Sequence, residues 1–189
     1  MPAERTVVLF ADYVCPFSYL AAVGLENVAA RLGLTIERRA FELSPHPQPV
    51  AEPATPEAWQ IVRDLAEKAG VRIEHSPLVP RTQKAHEAVK IAAVNGKAAA
   101  MDRALYEAYF LRGEDIGRID VIVALATSLG MDAMAVKVAL DLDVHSDAVK
   151  ADRAAAEALE ITGTPALVAG NDVHIGLLSE QQMLEWLGD

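Results

Sequence analysis

The stretch Asp12-Tyr13-Val14-Cys15-Pro16-Phe17-Ser18-Tyr19-Leu20 decides how this chain is read. An apolar run, Thr6-Val7-Val8-Leu9-Phe10, leads into it, and Leu20, Val23, Gly24, Val28 and Leu32 follow at helical spacing. A strand therefore turns into a helix here. Pro16 takes the first helical position, where its missing N–H is no loss, and Cys15 takes the N-cap. A sulfur at that place faces the free N–H groups of the first turn and the positive end of the helix dipole. Both favour the thiolate, so the single cysteine of the chain is expected to be a nucleophile. The alternative is a small buried apolar residue, which is the ordinary state of a lone cysteine.

Beyond the first helix, Gly33 supplies a stop, and residues 35–43 read as a second strand. Two strands joined by a helix make a parallel pair with a right-handed crossover. Ser44-Pro45-His46-Pro47-Gln48-Pro49 then breaks both helix and strand patterns and reads as an exit linker. From there to about residue 143 the pattern is helical. Thr55-Pro56 starts one helix, with Ile61, Val62, Leu65, Ala66 and Ala69 expected on its inner face. A second places Ala85, Ala88, Val89 and Ala92 inward, and a third does so with Met101, Leu105, Ala108 and Tyr109. A fourth carries Val121, Ile122, Leu125 and Leu129, and Asp132 opens a short fifth. Strand signals return after a helix over residues 146–160: a strand over 161–169, a turn at Gly170-Asn171-Asp172, and a second strand, Val173-His174-Ile175. Ser179 and Gln182 have the spacing of a capping box for a last helix carrying Met183, Leu184 and Leu187.

This order, with Cys15-Pro16-Phe17-Ser18 at its first strand–helix junction, resembles the DsbA-like branch of the thioredoxin superfamily. Four further segments carry the resemblance. Phe41-Glu42-Leu43-Ser44-Pro45 is similar to the strand exit of FrnE-like proteins. Arg81-Thr82-Gln83-Lys84-Ala85-His86 is similar to their N-T-x-x-A-H helix start, with Arg81 in place of the usual Asn. The run from Ala108-Tyr109-Phe110 to Gly113-Glu114-Asp115-Ile116 resembles their A-Y-F-x-x-G-x-D-I segment, and Gly163-Thr164-Pro165 matches the superfamily's G-x-P loop. The resemblance implies an α/β fold: a thioredoxin fold with an inserted all-helical domain. Residues 1–45 and 145–189 would form the thioredoxin-like part, and residues 46–144 the insert. It also implies a cis bond at Thr164-Pro165, with that loop facing Cys15 and docking the substrate backbone.

The motif is a hybrid. Dithiol oxidoreductases of this branch read C-P-x-C, whereas 2-hydroxychromene-2-carboxylate isomerases and kappa-class glutathione transferases read S-P-x-S. With Ser18 in the fourth place, no internal disulfide can form. The resemblance then implies a monothiol thiol–disulfide oxidoreductase or isomerase. Cys15 and Ser18 are its expected catalytic residues, and Pro16, Phe17, Thr164 and Pro165 its substrate-binding residues. Asp12, Thr82 and His86 are secondary candidates: Asp12 either relays protons or fixes the turn, and His86 either serves substrate or is structural. Two other readings stay open, a glutathione-assisted isomerase or transferase and a non-catalytic thioredoxin-fold binding module. Gly176-Leu177-Leu178-Ser179 lacks the polar turn of the glutathione-using relatives.

Composition bounds the partners. The formal net charge of −10, without a Lys/Arg cluster, argues against nucleic acid. No apolar run approaches the ~20 residues of a membrane span. Met1-Pro2-Ala3-Glu4-Arg5 shows no targeting segment, so a cytoplasmic location is expected. His46, His75, His145 and His174 show no metal-ligand spacing, and no metal is expected. Nor is a tightly bound cofactor. The expected partners are a disulfide-containing protein or small molecule, and a resolving thiol such as glutathione or another low-molecular-weight thiol as co-substrate.

Overall fold

A computed structural model describes residues 5–188; residues 1–4, on which the expectation about targeting rests, lie outside them. Strand β1 (Thr6–Ala11) occupies the middle of a four-stranded sheet. Its side chains alternate as a pleated strand requires. Val7 and Leu9 enter the larger apolar core on one face, while Phe10 joins Phe41, Ala156, Ile161, Ala166 and Val168 on the other. Helix α1 (Pro16–Leu32) follows and ends at Gly33, whose φ of 66° is the left-handed conformation that closes a helix. Strand β2 (Thr35–Ala40) then pairs parallel to β1, from Thr6↔Thr35 to Ala11↔Ala40.

The second strand stops earlier than its sequence suggests. Phe41 N–H still donates to Ala11 O at 3.0 Å. Beyond that, β1 has turned away at Asp12, and Leu43 N–H donates to the Asp12 side chain instead, at 2.7 Å. Five helices separate β2 from helix α7 (Ser146–Ala158): α2 (Pro56–Lys68), α3 (Gln83–Val94), α4 (Ala98–Arg112), α5 (Ile119–Ser128) and α6 (Ala133–Asp141). In α3 and α4 the expected inner residues are buried. Helix α2 is rotated from expectation. Trp59, Val62 and Ala66 are buried, whereas Ile61 and Ala69 are exposed. The Trp59 ring packs edge-on against His75, with centroids 4.9 Å apart, and 6.4 Å from the Phe110 ring; this anchor orients the helix.

After α7 the chain runs through a loop before strand β3 (Ala166–Ala169), which is shorter than the expected 161–169. Ile161 N–H is still engaged with Ala156 O at the end of α7, Glu160 has a positive φ of 57°, and Pro165 has no N–H to donate to a ladder. Strand β4 (Asp172–Ile175) completes an order of β2-β1-β3-β4, with β3 antiparallel to both its neighbours. Helix α8 (Glu180–Gly188) opens with the expected capping box: Ser179 N–H donates to Gln182 Oε1 at 2.9 Å, and Gln182 N–H to Ser179 Oγ at 3.3 Å.

The helices after β2 share the larger core with β1 and α1. Tyr19 of α1 stacks on Tyr106 and Phe110 of α4, with centroid separations of 5.2 and 5.4 Å. Burial of large side chains such as these contributes about 1.5–3 kcal/mol each. Beside them runs a polar tie. Asp102 of α4 accepts Tyr13 Oη–H and Arg38 Nε–H, both at 2.9 Å, and Arg38 also pairs with Glu26 at 3.0 Å. These contacts tie α1, β2 and the turn before α1 to α4.

Candidate functional site

Cys15 is the N-cap of α1, in extended backbone with φ −88° and ψ 113°. Its backbone is held on both sides: Cys15 N–H donates to Asp12 O at 3.1 Å, and Cys15 O accepts Tyr19 N–H at 3.2 Å. The sulfur does not turn to the first-turn N–H groups as the sequence suggests, for Cys15 makes no side-chain cap hydrogen bond. Instead Sγ donates to Thr164 O at 3.6 Å. A thiol has a proton to donate, and a helix N-terminus presents only further donors. The nearest use for that proton is the carbonyl on the 163–165 loop, where the Thr164–Pro165 bond is cis. Thus Cys15 and the Thr164–Pro165 loop, which the family resemblance implies should face each other, are brought to one place from opposite ends of the chain.

Ser18 is fully buried, and its Oγ accepts Asp12 N–H at 3.4 Å. Among the described residues no hydrogen bond joins it to Cys15 Sγ; its polar contact is with the backbone of the turn that precedes the cysteine. Asp12, 1% exposed, is the hub of that turn. Its backbone engages Cys15 and Ser18, its Oδ2 accepts Leu43 N–H at 2.7 Å, and its Oδ1 lies 3.3 Å from His86 Nε2. His86 also lies against the Tyr13 ring, with centroids 4.8 Å apart. Thr82 is buried as the N-cap of α3, and its side chain makes no capping bond. It meets His86 through the backbone alone, His86 N–H to Thr82 O at 2.9 Å.

The environment behind the thiol keeps phenols neutral and raises carboxyls. Burial first, and the Asp102 carboxylate second, push the Tyr13 and Tyr106 phenols well above their ordinary range. Burial also raises the Asp102 carboxyl, against the opposing pull of Arg38. Glu42, beside the hub, is raised by burial, with His86 pulling the other way.

In front of the thiol lies a cavity of about 300 Å³. Cys15, Pro16 and Phe17 form one side of it. Trp59, Val62, Tyr109 and Phe110 form an apolar, mostly aromatic side, and Leu43, Ser44 and residues 51–54 line the third. Burial pushes the Tyr109 phenol up to about 12, and its hydroxyl donates to Leu78 O at 2.7 Å. The sequence reading did not identify Trp59, Tyr109 or Phe110 as walls of the site. The signal was present in Ala108-Tyr109-Phe110, an aromatic pair that a helix projects to two different faces. Among the described residues, no group of three or more His, Cys, Asp and Glu gathers to hold a metal ion. No helix among them is long and apolar enough to cross a membrane.

The DSBA-like thioredoxin domain family model matches residues 6–188. Among curated proteins, this chain is similar to the uncharacterized protein YwbO of Bacillus subtilis (strain 168), at 30% identity over 176 residues, covering 89% of this chain and 88% of that protein. Among solved structures, it is similar to a probable DsbA oxidoreductase from Streptomyces coelicolor, with a TM-score of 0.84 and 23% identity, covering 98% of this chain and 91% of that one. It is also similar to a 2-hydroxychromene-2-carboxylate isomerase, with a TM-score of 0.77 and 17% identity, covering 97% and 93%. At such identities the two structures speak for the fold. The family match spans the thiol turn, the cis-proline loop and every element between them, and this chain belongs to the DsbA-like thioredoxin family.

Proposed function

We propose that this protein exchanges thiols and disulfides through Cys15 alone, as a monothiol oxidoreductase. The observation that supports it is the place of the sulfur: at the start of α1, against Thr164 O, and on the wall of a cavity. Cys15–S⁻ attacks one sulfur of a disulfide RS–SR′. The Cys15–S–SR bond forms as the old S–S bond breaks, and R′S⁻ leaves with the electron pair. A second thiolate, R″S⁻, then attacks the R sulfur, giving RS–SR″ and restoring Cys15–S⁻. That thiol comes from a low-molecular-weight pool such as glutathione or from a partner protein, because the chain has no second cysteine. A reducing, cytoplasmic compartment fits this requirement.

The residues take these roles in the cycle. The hydrogen bond from Sγ to Thr164 O lasts while the sulfur keeps its proton; once ionised, the sulfur turns to the first-turn N–H groups, which favour negative charge. Ser18, Asp12 and His86 hold the turn in shape. Pro16 and Phe17 form the rim, and Thr164 with Pro165 meets the substrate backbone. The test compares wild type with Cys15→Ala. Wild type is expected to turn over a small mixed disulfide in the presence of a thiol, and the variant to lose this. Isomerisation of a hydroxychromene carboxylate with no disulfide turnover would overturn the proposal in favour of an isomerase. Neither activity would leave a binding module.

A further inference from the structure

We infer that residues 44–54, pinned by Arg81, form the specificity wall of the Cys15 cavity, and that the wall selects an apolar, uncharged group on the substrate sulfur over an anionic peptide thiol. This rests on the exchange reading above and names the class of R in RS–SR′. Residues 44–54 have no helix or strand and are mostly exposed, yet Ser44, Ala51, Glu52, Pro53 and Ala54 line the cavity opposite Trp59 and Tyr109. A segment without regular hydrogen bonds keeps one shape only if something else holds it. Arg81 does so from the start of the third helix: its Nη1 donates to Ser44 O and its Nη2 to Gln48 O, both at 2.9 Å. Ser44 Oγ adds an internal bond by accepting Ala51 N–H at 3.2 Å. The two-pronged contact suits the rigid guanidinium fork, which a lysine cannot reproduce.

The base of Arg81 is itself fixed. A Cβ placed on Gly117 would lie 2.9 Å from Arg81 O and 3.1 Å from Pro80 Cβ, so the backbone there is tightly packed. The guanidinium is thereby committed to strap carbonyls and is not among the residues lining the cavity. Among the described residues the lining contains neither lysine nor arginine; its ionisable side chains are Cys15, Glu52, His75 and Tyr109. An apolar group therefore buries its surface against Trp59, Val62, Phe110 and Phe17. The carboxylates of a glutathionyl group would meet no lysine or arginine there, and would meet the carboxylate of Glu52.

The experiment uses two probes with the same leaving group, benzyl 2-pyridyl disulfide and glutathionyl 2-pyridyl disulfide. In each, Cys15–S⁻ forms a disulfide with the benzyl or glutathionyl sulfur and releases pyridine-2-thione, read by absorbance. Wild type is expected to favour the benzyl probe by about tenfold or more in the second-order rate, the scale an apolar pocket gives. Arg81→Ala is expected to bring that ratio to within about threefold by weakening saturation, with the rate at saturation and the alkylation of Cys15 by iodoacetamide unchanged. Arg81→Lys should restore it in part. Ala54→Trp, which obstructs the cavity from the exposed strap, should depress the benzyl reaction and gives a reading even if Arg81→Ala does not fold. Equal rates for the two probes in wild type, or an unchanged ratio in Arg81→Ala and Ala54→Trp, would overturn the inference while leaving exchange through Cys15 intact. A wild-type Cys15 inert to iodoacetamide and both probes would overturn exchange, and this inference with it.

Discussion

Replacing Ser18 by cysteine turns the hybrid motif into a dithiol and tests how much of an oxidoreductase the scaffold retains. Residue 18 is the third residue of α1, one turn beyond Cys15. Helix geometry puts Cα atoms three residues apart at about 5 Å, inside the Cα–Cα disulfide range of roughly 4.4–6.8 Å. The substitution weakens one long hydrogen bond, Asp12 N–H to Ser18 Oγ at 3.4 Å, whose loss costs at most about 1 kcal/mol because sulfur is still a weak acceptor. Closing a four-residue loop restricts the unfolded chain by an amount worth about 2 kcal/mol. Oxidised Ser18→Cys should accordingly exceed its reduced form in stability by about 2 kcal/mol, measured by urea unfolding with and without a reductant. Position 18 is 0% exposed and Cys15 is 5% exposed, so the outer sulfur should be attacked first and the inner one should resolve. Insulin reduction by the variant with a dithiol reductant should then far exceed that of wild type. A variant whose free thiols disappear on oxidation, yet which reduces insulin no faster than wild type, would refute the exchange reading. Failure to form the disulfide at all would refute the geometry of the turn.

Three other outcomes follow from the structure. Asp102→Asn removes the charge that accepts both Tyr13 and Arg38 while Arg38 keeps Glu26, so urea unfolding should show a loss of about 1.5–3 kcal/mol, and a loss below about 0.5 would contradict the tie. Burial raises the Glu42 carboxyl, opposed by His86, so its folded pKa lies above the unfolded one. Ionised Glu42 therefore destabilises the fold above that folded pKa, and the penalty fades as pH falls through it toward the unfolded value of ~4.3. Glu42→Gln should unfold at a higher temperature than wild type at pH 7, and the two should converge in acid; a gap that widens in acid would contradict this. At Gly24 a new Cβ would meet Glu180 Cγ at 3.5 Å and Met183 Cε at 3.6 Å, ordinary contact distances, so Gly24→Ala should stabilise α1 by up to about 1 kcal/mol in urea unfolding.

What the sequence determined by itself is everything that depends on residues within about four positions of each other. Cys15-Pro16 places a thiol at a helix start because proline prefers the first helical position, and Gly33 closes that helix because it accepts a positive φ. Ser179 and Gln182 cap each other across one turn. The resemblance added the Thr164–Pro165 loop opposite the thiol, which no local pattern could supply. Tertiary structure decided the rest. The sulfur leaves the first-turn N–H groups for Thr164 O, 149 positions away, because its proton needs an acceptor. The second strand ends where Asp12 takes Leu43 N–H from the ladder, and Asp12 finds His86 across 74 positions. Helix α2 turns on Trp59 rather than Ile61 because Phe110 and His75 happen to lie beneath it. Periodicity tells a helix which residues can share a face, but a face acquires a partner only when distant elements pack. The cavity beside Cys15, built from α1, α2, α4 and a strap held by Arg81, is therefore a property of the folded chain and of no single segment of it.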